Sequence, residues 1–194
     1  MAVLRNRAVF LDRDGVLNEE RGDYTWRPND FRVLPDVPGA LRRLKAEGYH
    51  LIVVTNQAGV AKGLYGMDDV RACHEKLQAT CGGLIDAFYV APGHPSVSES
   101  LSRKPGSLLL EKAMARFGLD PAQSWMVGDR GRDIAAGHRA GVRTIRVGKP
   151  DPQDGPAADY YAGSLEEAAR LIVAAGTSGK SASRPGADRD GWTA

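Results

Sequence analysis

An α/β fold on a parallel central sheet, with helices on both faces, is the class this sequence predicts. Two patterns carry that expectation. Short apolar runs alternate with segments of helical spacing along most of the chain, which is how successive βαβ units read in sequence. The runs are nearly continuous in Val, Ile, Leu and Phe, as suits strands buried on both faces. A third observation points to chemistry: carboxylates, a hydroxyl, an amide and a lysine cluster just after these runs, where open α/β sheets bind their ligands.

Taken in order, Ala8 to Leu11 is the first strand, and it runs straight into Asp12-Arg13-Asp14-Gly15. An irregular polar segment, Asn18 to Pro35, follows; its Arg21, Tyr24, Trp26 and Arg27 either pack beneath a loop or face a ligand. Asp36 is placed to cap a helix with Pro38 in its first turn, Leu41 and Leu44 as its apolar stripe and Gly48 as its stop. His50 to Val54 is the second strand, leading into Thr55-Asn56-Gln57 and then Gly59, Lys62, Gly63 and Gly66. Asp68 to Thr80 reads as a helix with Val70, Leu77 and the cysteines on or near its inner side, His74 on its surface and Gly82-Gly83 as its end.

Leu84 to Val90 is a third strand and Ala91 to Gly106 a long loop. Ser107 can cap the next helix, which carries Leu109, Leu110, Met114 and Phe117 and is closed by Gly118. Trp125 to Val127 is a fourth strand, meeting Gly128-Asp129-Arg130-Gly131-Arg132-Asp133. Ile134 to Ala140 then reads as a helix ended by Gly141, and Thr144 to Val147 and Asp159 to Ala162 complete the strands. Ser164-Leu165-Glu166-Glu167 fits a capping box for a last helix through Ala175. Residues 1–176 therefore form one domain, and the Gly, Ser, Pro and charge of 177–194 read as a disordered tail.

Composition narrows the function classes. A net charge of +2 over 194 residues offers no general attraction to nucleic acid or membrane. No apolar run approaches the ~20 residues of a membrane span, and the amino terminus lacks a signal-peptide core. With two cysteines, Cys73 and Cys81, in one helical segment, no disulfide framework is expected. The expected setting is a cytoplasmic monomer or weak oligomer.

Side chains at i and i+2 of an extended segment point the same way, so Asp12 and Asp14 can share one crevice while Arg13 points elsewhere. A solvated acidic loop is the alternative for this pair alone. Thr55 and Asn56 before glycine-rich backbone make a plausible cradle for phosphoryl oxygens. Asp129 and Asp133, four apart, share a face if that turn is helical; Asp133 is otherwise a helix-start acid.

Asp12-Arg13-Asp14, Val54-Thr55-Asn56, Arg103-Lys104-Pro105 and Val127-Gly128-Asp129 with Asp133 together resemble the four signature motifs of the haloacid dehalogenase (HAD) superfamily. The resemblance implies a three-layer Rossmann-like HAD fold, and no segment after the first two motifs is long enough for a large cap domain. It implies that Asp12 is a nucleophile forming an aspartyl-phosphate and Asp14 the general acid; spacing alone does not say which aspartate attacks. Thr55 would bond a phosphoryl oxygen, with Asn56 beside it, and Lys104 would supply fixed positive charge. A dianionic phosphate approaches clustered aspartates only with a cation, so Mg²⁺ is implied, held by Asp12, the Asp14 carbonyl and Asp129, with Asp133 as ligand or support.

The segments FLDRDGVLN, VVTNQAGVAKG, SRKPG and MVGD are most similar to the branch holding heptose 1,7-bisphosphate and histidinol-phosphate phosphatases. There Arg103 matches a residue that helps bind a second phosphate, and Lys62, Arg130 and Arg132 can add positive charge to the mouth. A phosphorylated sugar is the expected partner, removal of the C7 phosphate of heptose 1,7-bisphosphate the expected reaction, and a histidinol-phosphate phosphatase or a catalytically silent scaffold the alternatives. One departure stands out. Relatives carry zinc ligands before the third motif, where this chain has Ala91, Gly93, Ser100 and Ser102. No zinc is expected.

Overall fold

The computed structural model describes residues 6–96, 100–149, 151 and 153–178. Six strands form one sheet in the spatial order β3-β2-β1-β4-β5-β6: β1 (Ala8–Leu11), β2 (His50–Asn56), β3 (Ala87–Ala91), β4 (Trp125–Gly128), β5 (Arg143–Val147) and β6 (Tyr160–Ala162). Every pairing is parallel. The chain steps outward from β1 through β2 to β3, then returns to the other side of β1 with β4. That reversal opens a crevice beyond the carboxyl ends of β1 and β4.

Alternation along each strand divides the core in two. Val9, Leu11, Leu51, Val53, Trp125 and Val127 face one side, where α1 (Val37–Ala46), α3 (Met67–Thr80) and α6 (Leu165–Ser178) cover them. Ala8, Phe10, Ile52, Val54 and Met126 face α4 (Leu108–Phe117) and α5 (Gly131–Ala140). All of these strand residues are fully buried, at about 1.5–3 kcal/mol for each large apolar side chain. The sheet is therefore a rigid floor for whatever projects from its strand ends.

Local expectations met several corrections. Strand β2 runs two residues further than its apolar core, because Thr55 and Asn56 pair with Val90 and Ala91. Strand β3 begins at Ala87 rather than Leu84; the Asp86 carboxylate just before it accepts from Leu51 N (2.8 Å) and pairs with Lys45. Asp36 sits at the start of α1 but makes no capping bond there. Its carboxylate accepts instead from Glu166 N at the start of α6 (3.1 Å), so it ties two helices together. Ser107 likewise does not cap α4 and donates to Glu111 (2.5 Å). At α6 Ser164 caps Glu167 N, while the Glu167 carboxylate reaches Gly163 N.

His74, expected on the surface, is buried and stacked on Phe88 with ring centroids 4.4 Å apart. Burial, with Arg13 adding to it, pushes its pKa down to about 3, so it is neutral. Cys73 and Cys81 are buried free thiols. Helix α6 continues past Ala175 to Ser178; the tail expected from 177 lies, from 179 onward, outside the described residues. None of the described helices is long and apolar enough to cross a membrane.

Candidate active site

The first carboxylate leaves the sheet at the end of β1. Asp12 N still donates to Val127 O (2.9 Å), so Asp12 starts from the junction of β1 and β4. The chain then turns tightly: Arg13 O accepts from the backbone N–H groups of Val16, Leu17 and Asn18. Gly15 occupies the left-handed region at φ 83°, and a Cβ there would stand 2.6 Å from Asp129 Oδ2. Both the turn and the close approach of Asp129 require glycine.

Asp14 faces the cleft, and Arg13 does not point away unattached as its spacing suggested. The Arg13 side chain is buried, donates to Asp14 Oδ1 (2.9 Å) and Thr25 O (2.7 Å), and lies over the Phe31 ring. Asn18 Nδ2 also donates to Asp14 Oδ1 (3.0 Å). This bracing was not legible in the sequence, since nothing local pairs Arg13 with the carbonyl of Thr25.

Lys104 is the centre of the cluster. Its Nζ lies 2.8 Å from Asp12 Oδ1, 2.7 Å from Asp133 Oδ1 and 2.7 Å from Val54 O, and its side chain has no exposure. Burial alone would lower its pKa, but Asp12 and Asp133 outweigh that and hold it above its ordinary value, so the ammonium stays charged. Asn56 clamps the backbone of the same residue, donating to Lys104 O and accepting from Lys104 N, both at 3.0 Å. Both polar ends of the Asn56 amide are thus engaged.

Helix α5 begins at Gly131, three residues before the expected start, which places Asp133 inside its first turn. Its Oδ2 accepts from Arg130 N (3.1 Å) while its Oδ1 meets Lys104, so the helix-start role and the site role coexist. A Cβ at Gly128 would stand 2.2 Å from the Asp133 Cβ; the missing side chain is what lets Asp133 lie over the strand end. Among the described residues, one group of metal-capable side chains is found: ligand atoms of Asp12, Asp129 and Asp133 lie within 4.8 Å of one another. Asp129 Oδ1 is buried with no hydrogen-bond partner. No backbone N–H among the described residues donates to the Asp14 carbonyl.

Three carboxylates around one ammonium leave excess negative charge. Burial first, then the neighbouring Asp133 charge, push Asp12 up to about 7 despite Lys104, and push Asp129 up to about 6. An orphaned carboxylate oxygen, raised carboxyl groups and an all-oxygen donor set fit a hard divalent cation such as Mg²⁺. Asp12 and Asp129 offer it free oxygens, whereas both oxygens of Asp133 already have protein partners.

Above this cluster is a cleft of about 470 Å³, lined by Asp14, Asn56, Gln57, Glu20, Tyr24, Tyr65, His94, Arg103, Arg130 and Arg132 among others. Thr55 is buried beside it and accepts from Gln57 Nε2 (2.8 Å). Lys62 does not line the cleft; its Nζ donates to the Tyr24 hydroxyl (2.9 Å) and so holds a wall residue. Tyr24 and Trp26 both pack on Tyr65, and Tyr24 also faces the cleft, so the aromatics of the 18–35 segment do both things the sequence allowed.

The loop before Lys104 is tied by small residues. Ser100 Oγ and Ser102 Oγ are hydrogen-bonded at 2.7 Å, a Cβ at Gly93 would lie 3.2 Å from the Ser100 Cβ, and Ala91 is buried in the core. Arg103 anchors the loop through Gly93 O (3.3 Å) and Arg139 through Pro105 O (2.6 Å).

A Rossmann-like parallel sheet with carboxylates at its strand ends and a buried lysine brought to them by a loop defines the class, HAD-type hydrolases. The HAD-hydrolase-like family model accordingly matches residues 101–168. The chain is 36% identical over 179 residues, 86% of its length and 97% of the relative's, to a D-glycero-beta-D-manno-heptose-1,7-bisphosphate 7-phosphatase of Haemophilus influenzae. It is 41% identical over 150 residues, 73% of its length and 79% of the relative's, to a D-glycero-alpha-D-manno-heptose-1,7-bisphosphate 7-phosphatase of Burkholderia mallei. Among solved structures, a D,D-heptose 1,7-bisphosphate phosphatase from B. bronchiseptica, complexed with magnesium and phosphate, matches with a TM-score of 0.79 and 27% identity over 88% of this chain and 99% of that one. The chain belongs to this heptose-bisphosphate phosphatase family of HAD hydrolases.

Proposed function

We propose that this protein is a Mg²⁺-dependent phosphomonoester hydrolase that removes the C7 phosphate of D-glycero-D-manno-heptose 1,7-bisphosphate. The observation that carries the chemistry is Lys104, fully buried between Asp12 and Asp133 at the head of the cleft. The bound Mg²⁺, held by Asp12, the Asp14 carbonyl and Asp129, would neutralise charge so that a phosphate dianion can approach.

Asp12 attacks phosphorus in line; its oxygen bonds to phosphorus as the bond from phosphorus to the sugar oxygen breaks, and Asp14 delivers a proton to that oxygen. Water then attacks phosphorus of the aspartyl-phosphate, giving a proton to Asp14. The bond to Asp12 breaks and inorganic phosphate leaves. Lys104 and the Thr55 hydroxyl balance the phosphoryl oxygens, Asn56 fixes the Lys104 backbone, and Asp133 fixes its ammonium.

Support for a second phosphate comes from the mouth. Arg130 is engaged with Asp129 (3.2 Å), and Arg146 with Asp154 (2.8 Å). The Arg103 side chain, by contrast, donates only to Gly93 O among the described residues, and the Arg132 side chain is in no close ion pair there, although Asp133, Asp12, Asp129 and Asp154 are near enough to hold its charge firmly. Two guanidiniums lining one cleft with no close ion pair among the described residues suit a bound anion, and Lys62 assists through Tyr24. The proposed enzyme is a cytoplasmic monomer or weak oligomer.

The named relatives differ in anomer, so the assay uses both anomers of the bisphosphate with Mg²⁺, and histidinol phosphate as control. Release of inorganic phosphate with accumulation of heptose 1-phosphate is expected. Faster turnover of histidinol phosphate, or none of any substrate, would contradict the assignment.

A further inference from the structure

Gln57 lies between the groups that the reaction needs and was given no role by its sequence motif. It is 2% exposed, and its side chain makes three hydrogen bonds among the described residues. Its Nε2 donates to Thr55 Oγ1 (2.8 Å) and to Asp14 Oδ2 (3.2 Å), and its Oε1 accepts from the Tyr65 hydroxyl (2.8 Å).

The orientation of this amide is determined, not arbitrary. Reversed, it would set Oε1 against Oδ2 of Asp14 in its ionised form, the form that pairs with Arg13, leaving two acceptors at hydrogen-bond distance with no proton between them. With Nε2 toward Asp14, Oε1 must face Tyr65, whose hydroxyl then donates. Burial pushes the Tyr65 phenol up to about 12, so that proton is present. The ring is itself fixed, stacked on Trp26 at 6.0 Å and edge-on to Tyr24 at 5.9 Å. It also fills the space that a side chain at Gly59 would need, since a Cβ there would stand 2.0 Å from Tyr65 Cε1.

A consequence follows for Thr55. Its oxygen already accepts from Gln57, so its own hydrogen is left to donate, and among the described residues it finds no protein acceptor. A phosphoryl oxygen would be that acceptor.

We propose that Gln57 is a positioning residue: its amide, locked by Tyr65, aims the Thr55 hydroxyl proton at the phosphoryl group and holds Asp14 against the leaving oxygen. This rests on the phosphatase reading above. It links the aromatic wall of the cleft to both groups through one side chain.

The test compares leaving groups. A sugar oxygen needs Asp14 as acid, whereas the phenolate of p-nitrophenyl phosphate does not, and kcat/KM for both reports the step up to phosphoryl transfer. Gln57→Leu should lower kcat/KM about 100-fold for heptose bisphosphate and only about 10-fold for the aryl phosphate, the difference being part of what general acid catalysis supplies. Tyr65→Phe, which keeps Gln57 and leaves the amide free to tilt, should show the same ordering at about 10-fold against 2-fold or less. Circular dichroism and melting temperature establish that each variant is folded, and Tyr65→Phe carries the test if Gln57→Leu is not. Equal proportional losses on the two substrates, or no loss in either folded variant, would overturn the proposal. Wild-type protein that hydrolyses neither compound would instead overturn the phosphatase reading, and the proposal with it.

Discussion

At the head of the cleft, Asp12 on a strand end, Asp133 on an adjoining helix start and Lys104 on the loop before α4 are buried, and each charge has a partner within 3 Å. At the mouth, Arg103, Tyr24 and Glu20 come from loops and Arg132 from the first turn of α5, and among the described residues neither arginine is in a close ion pair. The head is determined by the ends of β1, β2 and β4 and by the Asn56 amide on β2, which ties the Lys104 loop to them. The mouth is determined mostly by loop sequence. Reaction type and substrate choice are thus separable in this molecule, and substitutions in the two regions should fail in different ways.

The largest effect is expected at the head. Lys104→Met leaves Asp12 and Asp133 buried without their counter-ion, which should cost about 3–5 kcal/mol of stability as for other broken buried pairs. Turnover should also fall by roughly 10³-fold or more, on the scale of losing a main electrostatic stabiliser. Denaturant melts and steady-state rates would check both. A variant with unchanged stability would break the claim that the head is a closed charge cluster.

At the mouth the loss should be selective. Arg103→Ala and Arg132→Ala should each reduce kcat/KM for the bisphosphate about 10- to 100-fold, the worth of one charge-assisted contact to phosphate. Heptose 7-phosphate should be almost unaffected, and melting temperatures should hold. Equal losses on both substrates would erase the distinction between the two regions.

The smallest effect is in pH dependence. Asp12 and Asp129 are raised from an ordinary 3.8 to about 7 and about 6. Across that window the folded protein binds more protons than the unfolded chain, so metal-free stability should fall as pH rises toward 7. Mg²⁺ binding must expel those protons, so the increase in melting temperature on adding Mg²⁺ should be larger at pH 8 than at pH 5.5. A shift that is constant or larger at the lower pH would argue that the cation does not sit on these carboxylates.

The same division explains what the sequence disclosed. Asp12, Asp14 and Asp129 were legible because each follows an apolar strand, and strand ends in a parallel sheet converge by topology; Lys104, on a loop well past β3, was legible only through its Arg103-Lys104-Pro105 motif. Asp133 was legible through its spacing of four, although its double engagement with Lys104 and Arg130 N was not. Arg13, Gln57 and Tyr65 were hidden because their partners lie in distant turns: Thr25 for Arg13, Asp14 for Gln57. His74 was misassigned for the same reason. One side of a helix looks polar until β3 brings Phe88 against it. Asp36 and Ser107 carried the right residue type for caps, but stronger or nearer partners took their side chains.

Spacing cannot say which of Asp12 and Asp14 attacks, and the whole division of roles depends on it. Acid quenching during turnover followed by borohydride reduction would convert a phosphorylated aspartate to homoserine. Trypsin separates the two candidates, since Arg7, Arg13 and Arg21 place Asp12 in peptide 8–13 and Asp14 in peptide 14–21. Mass spectrometry should find homoserine at position 12, absent in Asp12→Asn. Homoserine at position 14, or at neither position in a protein that turns over, would contradict the mechanism.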